Sequence, residues 1–418
     1  MMINKPRGTE DVLPKDSGLW QKVENIARET AGLFGYKEIR TPVFESTELF
    51  QRGVGDTTDV VQKEMYTFED KGGRSITLKP EGTACLVRSY IENSLYANPQ
   101  PTKLMYIIPC FRYEKPQSGR LREFHQFGIE CFGAENPTTD AEVISLASMF
   151  LKNAGVKNVK LNINSIGCPE CRGKYNESLK NYFNSNKGEL CETCLERLEK
   201  NPMRILDCKS PVCSKIAENA PKMIDYLCEE CSNHFESVKA RLDKMGIEYF
   251  VNPDIVRGLD YYTKTVFEFT SDALGAQSTV CGGGRYSGLV EELGGKPAEG
   301  IGFAVGLERL ILIIKSQNED AEVTKTPDIF FATIGENAEA EAQKLIYELR
   351  KMGVYAEQDL CGRSVKAQMK YADKLGAKYS VVLGDDEVAK GVANLKNMTD
   401  GETKEIKINP DEIVKEIK

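Results

Sequence analysis

The spacing of apolar residues changes period several times along the chain. From Ser17 to Phe34, the residues Leu19, Trp20, Val23, Ile26 and Ala27 recur at helical intervals, and Gly35 ends the run. Shorter stretches at Tyr66–Phe68, Ser75–Leu78, Leu104–Phe111 and Glu123–Phe132 read as strands. In the last of these, alternation sends His125, Phe127, Ile129 and Cys131 to one face. Gln126, Gly128 and Glu130 go to the other, which offers an amide, a gap without a side chain and a carboxylate. From about Ser165 to Lys244 the pattern is charged and helical. Strands and glycines return between about Met245 and Asn318, and the polar stretch from Gln317 to Pro327 reads as a linker. Beyond it, strands Ile329–Ile334, Val354–Glu357 and Tyr379–Leu383 alternate with helices Ala338–Met352 and Ser364–Leu375.

This order predicts a catalytic domain in two parts, residues 1–164 and 245–318, interrupted by a Cys-rich insertion at 165–244 and followed by an α/β domain at 327–418. A chain of 418 residues is too long for one core, and 41% hydrophobic with 28% charged residues is an ordinary globular balance. The net charge of −8 argues against general coating of nucleic acid but leaves room for a local basic patch. Met1 to Glu10 lacks the apolar stretch of a secretory signal, and Leu310–Ile314 is too short to cross a bilayer, so the expectation is a cytoplasmic protein without a membrane segment. With only His125 and His234 present, a histidine base is nearly excluded by supply.

Candidate chemistry concentrates in five segments. In Phe111–Glu130, Pro116, Ser118 and Gly119 turn the chain between two strands, and Arg112, Arg120 and Arg122 surround the polar face with positive charge. In Leu78–Thr83, Pro80 and Gly82 bracket Glu81 at a strand-to-helix corner, where a carboxylate and the Thr83 hydroxyl suit an ammonium group or simply a helix start. The third segment runs from Val256 to Thr263. The fourth, Cys281 to Gly288, carries three adjacent glycines, for close backbone approach or for a tight turn. The fifth, Gly300 to Arg309, is a glycine-spaced strand leading into a helix. No phosphate-binding G-x-x-x-x-G-K-[ST] loop exists, so a nucleotide site here rests on arginines.

Together these segments resemble the bacterial histidyl-tRNA synthetases, class II aminoacyl-tRNA synthetases. Phe34-Gly35-Tyr36 to Arg40-Thr41-Pro42 is similar to the dimer-forming first motif of that class. Phe111–Glu114 with Arg122–Gln126 resembles the second, and Gly302–Arg309 the third. Arg257–Tyr262 and Gly282–Tyr286 resemble two motifs peculiar to the histidine enzymes. The resemblance implies an α+β fold, an antiparallel sheet flanked by helices, with a helical insertion and a C-terminal α/β anticodon-binding domain. It implies a homodimer that activates L-histidine with ATP and Mg2+ and transfers it to tRNA(His). Arg112, Arg309 and Arg257 match the arginines at the α-phosphate, at the γ-phosphate and beside the α-phosphate and histidine carboxylate. Glu130 and Tyr262 match the residues that read the imidazole; Glu81, Thr83 and Gln126 match those that hold the amino group; Tyr286 helps line the pocket. The sequence departs from the family pattern at Lys79, Ile108, Lys115, Leu121 and Ser287. Two alternatives are a non-catalytic regulatory paralogue in histidine biosynthesis, disfavoured by the intact arginine motifs and C-terminal domain, and a synthetase for another amino acid such as threonine or proline.

The insertion adds a separate signal. Cys168–Cys171, Cys191–Cys194 and Cys228–Cys231 are CxxC pairs, and Cys208 with Cys213 is a looser fourth. Such pairs suggest structural Zn2+, against the alternative of free thiols in a reducing compartment. In the last domain, Arg363 precedes Lys366, Lys370, Lys374 and Lys378, which recur at helical spacing. This stripe, with Ser364 as the expected cap of its helix, is a candidate tRNA contact or a solvated face.

Overall fold

The protein is described from a computed structural model, which covers residues 2–55, 58–206, 208, 210–255, 259, 261–272, 279–318 and 325–418. The chain divides into two compact units, Met1–Glu322 and Val323–Lys418. No helix among the described residues is long and apolar enough to cross a membrane.

The first unit is built on an eight-stranded sheet in the order Lys37–Glu38, Thr102–Phe111, Glu123–Phe132, Gly300–Gly306, Thr279–Tyr286, Tyr262–Ser271, Val159–Ser165, Phe250–Val251. The six inner strands pair antiparallel, and each short edge strand joins in parallel. Alternation makes the sheet two-faced. Phe127, Ile129, Ile301, Phe303, Val305 and Phe267 share one core with residues of Pro14–Leu33, Pro137–Asn153 and Leu307–Gln317. The opposite face carries Gln126 and Glu130 beside Tyr262 and Tyr286. Helices seal one side, and the other keeps polar groups that a core would exclude.

Behind the sheet lies a charged network that the sequence reading did not anticipate. The Arg285 side chain is fully buried and pairs with Asp140 and with Glu299 at 3.2 Å, and it donates to the Ala134 carbonyl at 2.8 Å. His234 Nε2 lies 3.1 Å from Asp140 Oδ1. Arg285 belongs to the sheet, Asp140 to the helix Pro137–Asn153 and His234 to the last helix of the insertion, Glu229–Met245. Arg285 and Tyr286 are consecutive, so one clamps the strand from behind while the other faces the pocket.

The insertion is helical: Pro169–Ser185, Glu192–Lys200 and Pro211–Glu218 gather around Tyr175, Leu179, Phe183, Leu198 and Ile205, whereas Glu229–Met245 joins them through Cys231 and places Phe235, Val238 and Leu242 in the core of the large sheet. A three-stranded sheet, Phe44–Ser46, Ser75–Leu78 and Tyr66–Glu69, stands apart from the large one. Its register puts Phe44, Leu78 and Tyr66 in one row and Ser46, Ile76 and Phe68 in the next, all on the same face. Thr67 and Thr77 occupy the other face and hydrogen-bond with each other at 2.8 Å; Thr47 joins Thr77 at 2.9 Å. The Phe44 and Phe68 rings are outward, 55% and 47% exposed, Tyr66 is half-buried against Tyr113, and Thr77 is buried on the other face.

The second unit is a five-stranded sheet ordered Ala356–Gln358, Ile329–Ile334, Tyr379–Gly384, Val392–Asn397, Thr403–Lys407. Its first three strands are parallel and its last two antiparallel. The C-terminal hairpin and the closing helix Pro410–Ile417 were not read from the sequence. Two local expectations fail here. Ser364 precedes the helix Val365–Lys374 but makes no side-chain cap bond. Lys378 lies beyond the helix, after Gly376 turns the chain at φ +69°, and pairs with Asp328 at 2.7 Å instead of extending the stripe. Buried Gln368, also unforeseen, anchors this helix by accepting from Thr333 N at 2.8 Å and donating to the Thr333 and Arg363 carbonyls.

Candidate active site

Two adjoining cavities open on the polar face of the large sheet. The first, of about 180 Å³, is lined by Glu81, Thr83, Arg112, Gln126, Glu130, Tyr261, Tyr262 and Tyr286, with Gly282, Gly302, Phe303 and Ala304 along the strands. The second, of about 200 Å³, is lined by Arg112, Glu114, Arg120, Phe124, Thr279, Glu308 and Arg309. Arg112, Gln126, Gly282 and Ala304 belong to both, so the two form one continuous site with an acidic end and a cationic end.

The acidic end is organised around two carboxyls that are almost entirely buried. Glu130 accepts hydrogen bonds from Thr83 Oγ1 at 2.6 Å and from the Tyr286 hydroxyl at 2.7 Å. Burial pushes the Glu130 carboxyl up to about 8; the Thr83 and Tyr286 hydrogen bonds oppose this rise, and the charge of Glu81 adds to it. Glu81 accepts from the backbone N–H groups of Thr83 and Ala84, each at 2.8 Å, at the start of the helix Thr83–Glu92. Burial raises this carboxyl as well, although the amides favour its ionised form. The reading of Glu81 as a helix start therefore holds, and the same carboxyl lines the cavity.

Glycine provides space here rather than unusual backbone. A Cβ at Gly302 would collide with the Glu130 carboxylate, and one at Gly300 with the Tyr286 ring. The gap expected at Gly128 is not open to a ligand. Tyr106, from the neighbouring strand Thr102–Phe111, lays its ring over Gly128 and Gly82, and a Cβ at either would clash with it. Tyr261, which lines the first cavity, and Tyr106, which fills the space over Gly128, were not read from the sequence. Tyr106 lies directly opposite Gly128 across the ladder, where a large ring facing glycine interdigitates. The three glycines Gly282–Gly284 lie within the strand Thr279–Tyr286 and form no turn.

At the cationic end, the strand pair and its Pro116–Gly119 turn bring arginines together. Arg112 donates from Nε to the Pro80 carbonyl at 2.8 Å and rests over the Phe124 ring at 5.4 Å. Arg120 pairs with Glu114. Burial lowers the Arg309 pKa, and the positive charge of Arg120 lowers it further. Guanidiniums that line one cavity favour an anion between them. Arg122 does not join them: it stacks on Tyr113 at 3.9 Å and donates to the Glu114 carbonyl. His125 faces away from the cavity, with Nδ1 2.9 Å from Glu308 Oε1, and so fixes the carboxylate that lines the cationic chamber. Arg257 lies outside the described residues.

Elsewhere, Lys366, Lys370 and Lys374 are exposed along the helix Val365–Lys374. Arg363 at its start is engaged by Asp359 and stacks on Tyr371 at 4.5 Å. The eight insertion cysteines form two groups of four, Cys168/Cys171/Cys228/Cys231 and Cys191/Cys194/Cys208/Cys213.

The chain matches the histidyl-tRNA synthetase family profile over residues 8–170 and 186–310 and the anticodon-binding domain profile over residues 328–418. It is 59% identical to the histidine–tRNA ligase of Acetivibrio thermocellus, with 98% of each chain covered. It is 56% identical to that of Clostridium perfringens over the full length of both. The crystal structure of apo histidyl-tRNA synthetase from Staphylococcus aureus superposes with a TM-score of 0.84 at 44% identity, covering 100% of both chains.

The raised Glu130 pKa has a testable cost. A carboxyl that ionises at about 4.5 when unfolded and near 8 when folded holds an extra proton in the native state between those values. Stability from this group is fully present below the unfolded value and is lost as pH rises through the folded one. Glu130→Gln, neutral throughout, should therefore become more stable than the parent as pH rises from 5 to 9, by roughly a few kcal/mol at most. Melting curves across that range measure it; parallel pH dependence for the two proteins would remove the argument.

Proposed function

The chain belongs to the histidyl-tRNA synthetase family, and on that premise we propose how its residues divide the ligation of histidine to tRNA. The enzyme uses ATP to convert L-histidine to histidyl-adenylate, releasing pyrophosphate, and then transfers the histidyl group to tRNA(His), releasing AMP. What carries the assignment of residues is the shared wall between an enclosed acidic chamber and an arginine-lined one. An amino acid in the first presents its carboxylate to a phosphate in the second at the seam, at Arg112 and Gln126.

In this reading, Glu130 accepts the imidazole N–H, held in place by Thr83 and Tyr286, and Tyr262 contacts the other side of the ring. A neutral imidazole has one donor and one acceptor, so a buried pair of partners rejects side chains lacking either by roughly 10⁴–10⁵. Glu81 and Gln126 take the α-ammonium, with Thr83 beside them. Arg112 and Arg257 stabilise negative charge at the α-phosphate, and Arg309 holds the far end of the triphosphate. Magnesium arrives with ATP as part of the substrate, and Glu114 and Glu308 are the carboxylates that line its chamber.

The partner surfaces follow from the two units. The outward aromatic face of Phe44 and Phe68, immediately after the first class motif, supports a homodimer, because an apolar face of this kind is normally covered. Lys366, Lys370 and Lys374 support contact between the anticodon-binding domain and the tRNA backbone.

Three measurements address these roles. Pyrophosphate exchange with each amino acid should respond to histidine alone, and Arg309→Ala should lower its kcat/KM by about 10²–10³. Exchange without histidine, or full activity in the variant, contradicts the residue roles. Replacing Lys366 and Lys370 with glutamate should raise the KM for tRNA and leave exchange unchanged; an unaltered KM removes these lysines from the interface. Light scattering should find a dimer that Phe44→Asp with Phe68→Asp converts to monomer, and a dimer that survives both changes must use another surface.

A further inference from the structure

The insertion cysteines are not scattered thiols. The other five, Cys85, Cys110, Cys131, Cys281 and Cys361, join no cluster of metal-ligating groups among the described residues. The eight in the insertion fall into two sets of four, and within each set all sulfurs lie within 4.8 Å of one another. The Sγ atoms of Cys168 and Cys171 are 3.6 Å apart, and those of Cys191 and Cys208 are 3.9 Å apart. Four thiolates about 2.3 Å from a tetrahedral zinc ion are separated by about 3.8 Å.

The local chain supports sulfur as an acceptor. Cys168, Cys191 and Cys228 occupy the N-cap positions of three helices, and their CxxC partners Cys171, Cys194 and Cys231 sit in the first turns. Backbone N–H groups point at sulfur: Cys228 N donates to Cys171 Sγ at 3.0 Å, and Cys191 N to Cys213 Sγ at 3.3 Å. Donors aimed at sulfur stabilise thiolates, and four adjacent thiolates require a soft cation to be stable together. Cys171, Cys194, Cys213 and Cys231 are buried, so the sulfurs form part of the insertion's interior.

We infer that the insertion holds two structural zinc ions, one in each tetrathiolate cluster. The clusters are nested. Cys168 and Cys171 stand just after the chain leaves the large sheet, Cys228 and Cys231 stand at the start of the helix Glu229–Met245 that leads back to it, and the inner four close a loop within that span. The outer ion therefore joins the start of the helix Pro169–Ser185 to the start of Glu229–Met245, the helix whose His234 contacts Asp140. The inner ion strengthens a helical body whose own apolar core is small. Neither ion touches the chambers that bind substrate, so the sites are structural.

Zinc content decides this without reference to activity. Full-length protein, expressed in zinc-supplemented medium without a metal-affinity tag and washed with a weak chelator, should retain about two zinc equivalents per chain by mass spectrometry. Cys191→Ser with Cys194→Ser should reduce this to about one. Mercurial titration of the unmodified protein, followed with a chromogenic chelator, should release zinc in step with loss of thiols, and requires no variant to fold. Fewer than about 1.5 equivalents in the unmodified protein, or thiols titrated without zinc release, overturns the two-site arrangement. Histidine-dependent pyrophosphate exchange on the same sample reports separately on catalysis.

Discussion

The Arg285–Asp140 ion pair has no access to water, and most of the first unit is arranged to satisfy it. Two charges removed from solvent repay their desolvation only when every donor and acceptor is engaged. Arg285 meets that condition through Asp140, Glu299 and the Ala134 carbonyl, and Asp140 also meets His234. Removing one member of such a pair typically costs about 3–5 kcal/mol, because the other charge is left stranded. The network therefore ties three elements distant in sequence: the helix after the second motif, the pocket strand and the last helix of the insertion. Tyr286, the next residue along that strand, owes its position on Glu130 to this clamp.

Against that rigid background, the site carries an unfavourable arrangement that the fold sustains. Two carboxyls share a small enclosed cavity, and burial raises the pKa of both. At the other end, half-buried Arg112, Arg120 and Arg309 line the second chamber, and the charge of Arg120 lowers the Arg309 pKa. Each half is electrostatically costly alone, and on the proposed division of roles each is relieved by a group of opposite charge: an ammonium on one side, a triphosphate on the other. Binding free energy is thus prepared in the folded protein before substrate arrives.

Much of this was legible in sequence because it depends on period and on residue type. Alternation in Glu123–Phe132 separated the Gln126/Glu130 face from the Phe127/Ile129 face, and the structure divides them the same way. The Pro80–Gly82 bracket located Glu81 at a strand-to-helix corner, and the helix does begin at Thr83. What escaped was pairing between distant strands. Nothing local to Gly128 reveals that Tyr106 fills the space above it. Nothing around Arg285 distinguishes a residue pointing behind the sheet from a phosphate ligand. Lys378 kept the spacing of the lysine stripe, but the turn at Gly376 placed it outside the helix. The eight cysteines announced themselves by spacing, whereas their division into nested sets of four needed coordinates.

The insertion leaves the large sheet after Ser165 and the chain returns to it at Phe250, in a strand paired with the one it left, Asn162 opposite Phe250 and Ile163 opposite Val251. An appendage whose two ends meet places little demand on the body that bears it. Its length and composition can drift while the strands beneath keep their register, and the interval absent from the family profile, between residues 170 and 186, falls inside its first helix. The large sheet is thereby insulated from change in the first three helices of the insertion, while the fourth stays tied to it through His234, Phe235 and Val238.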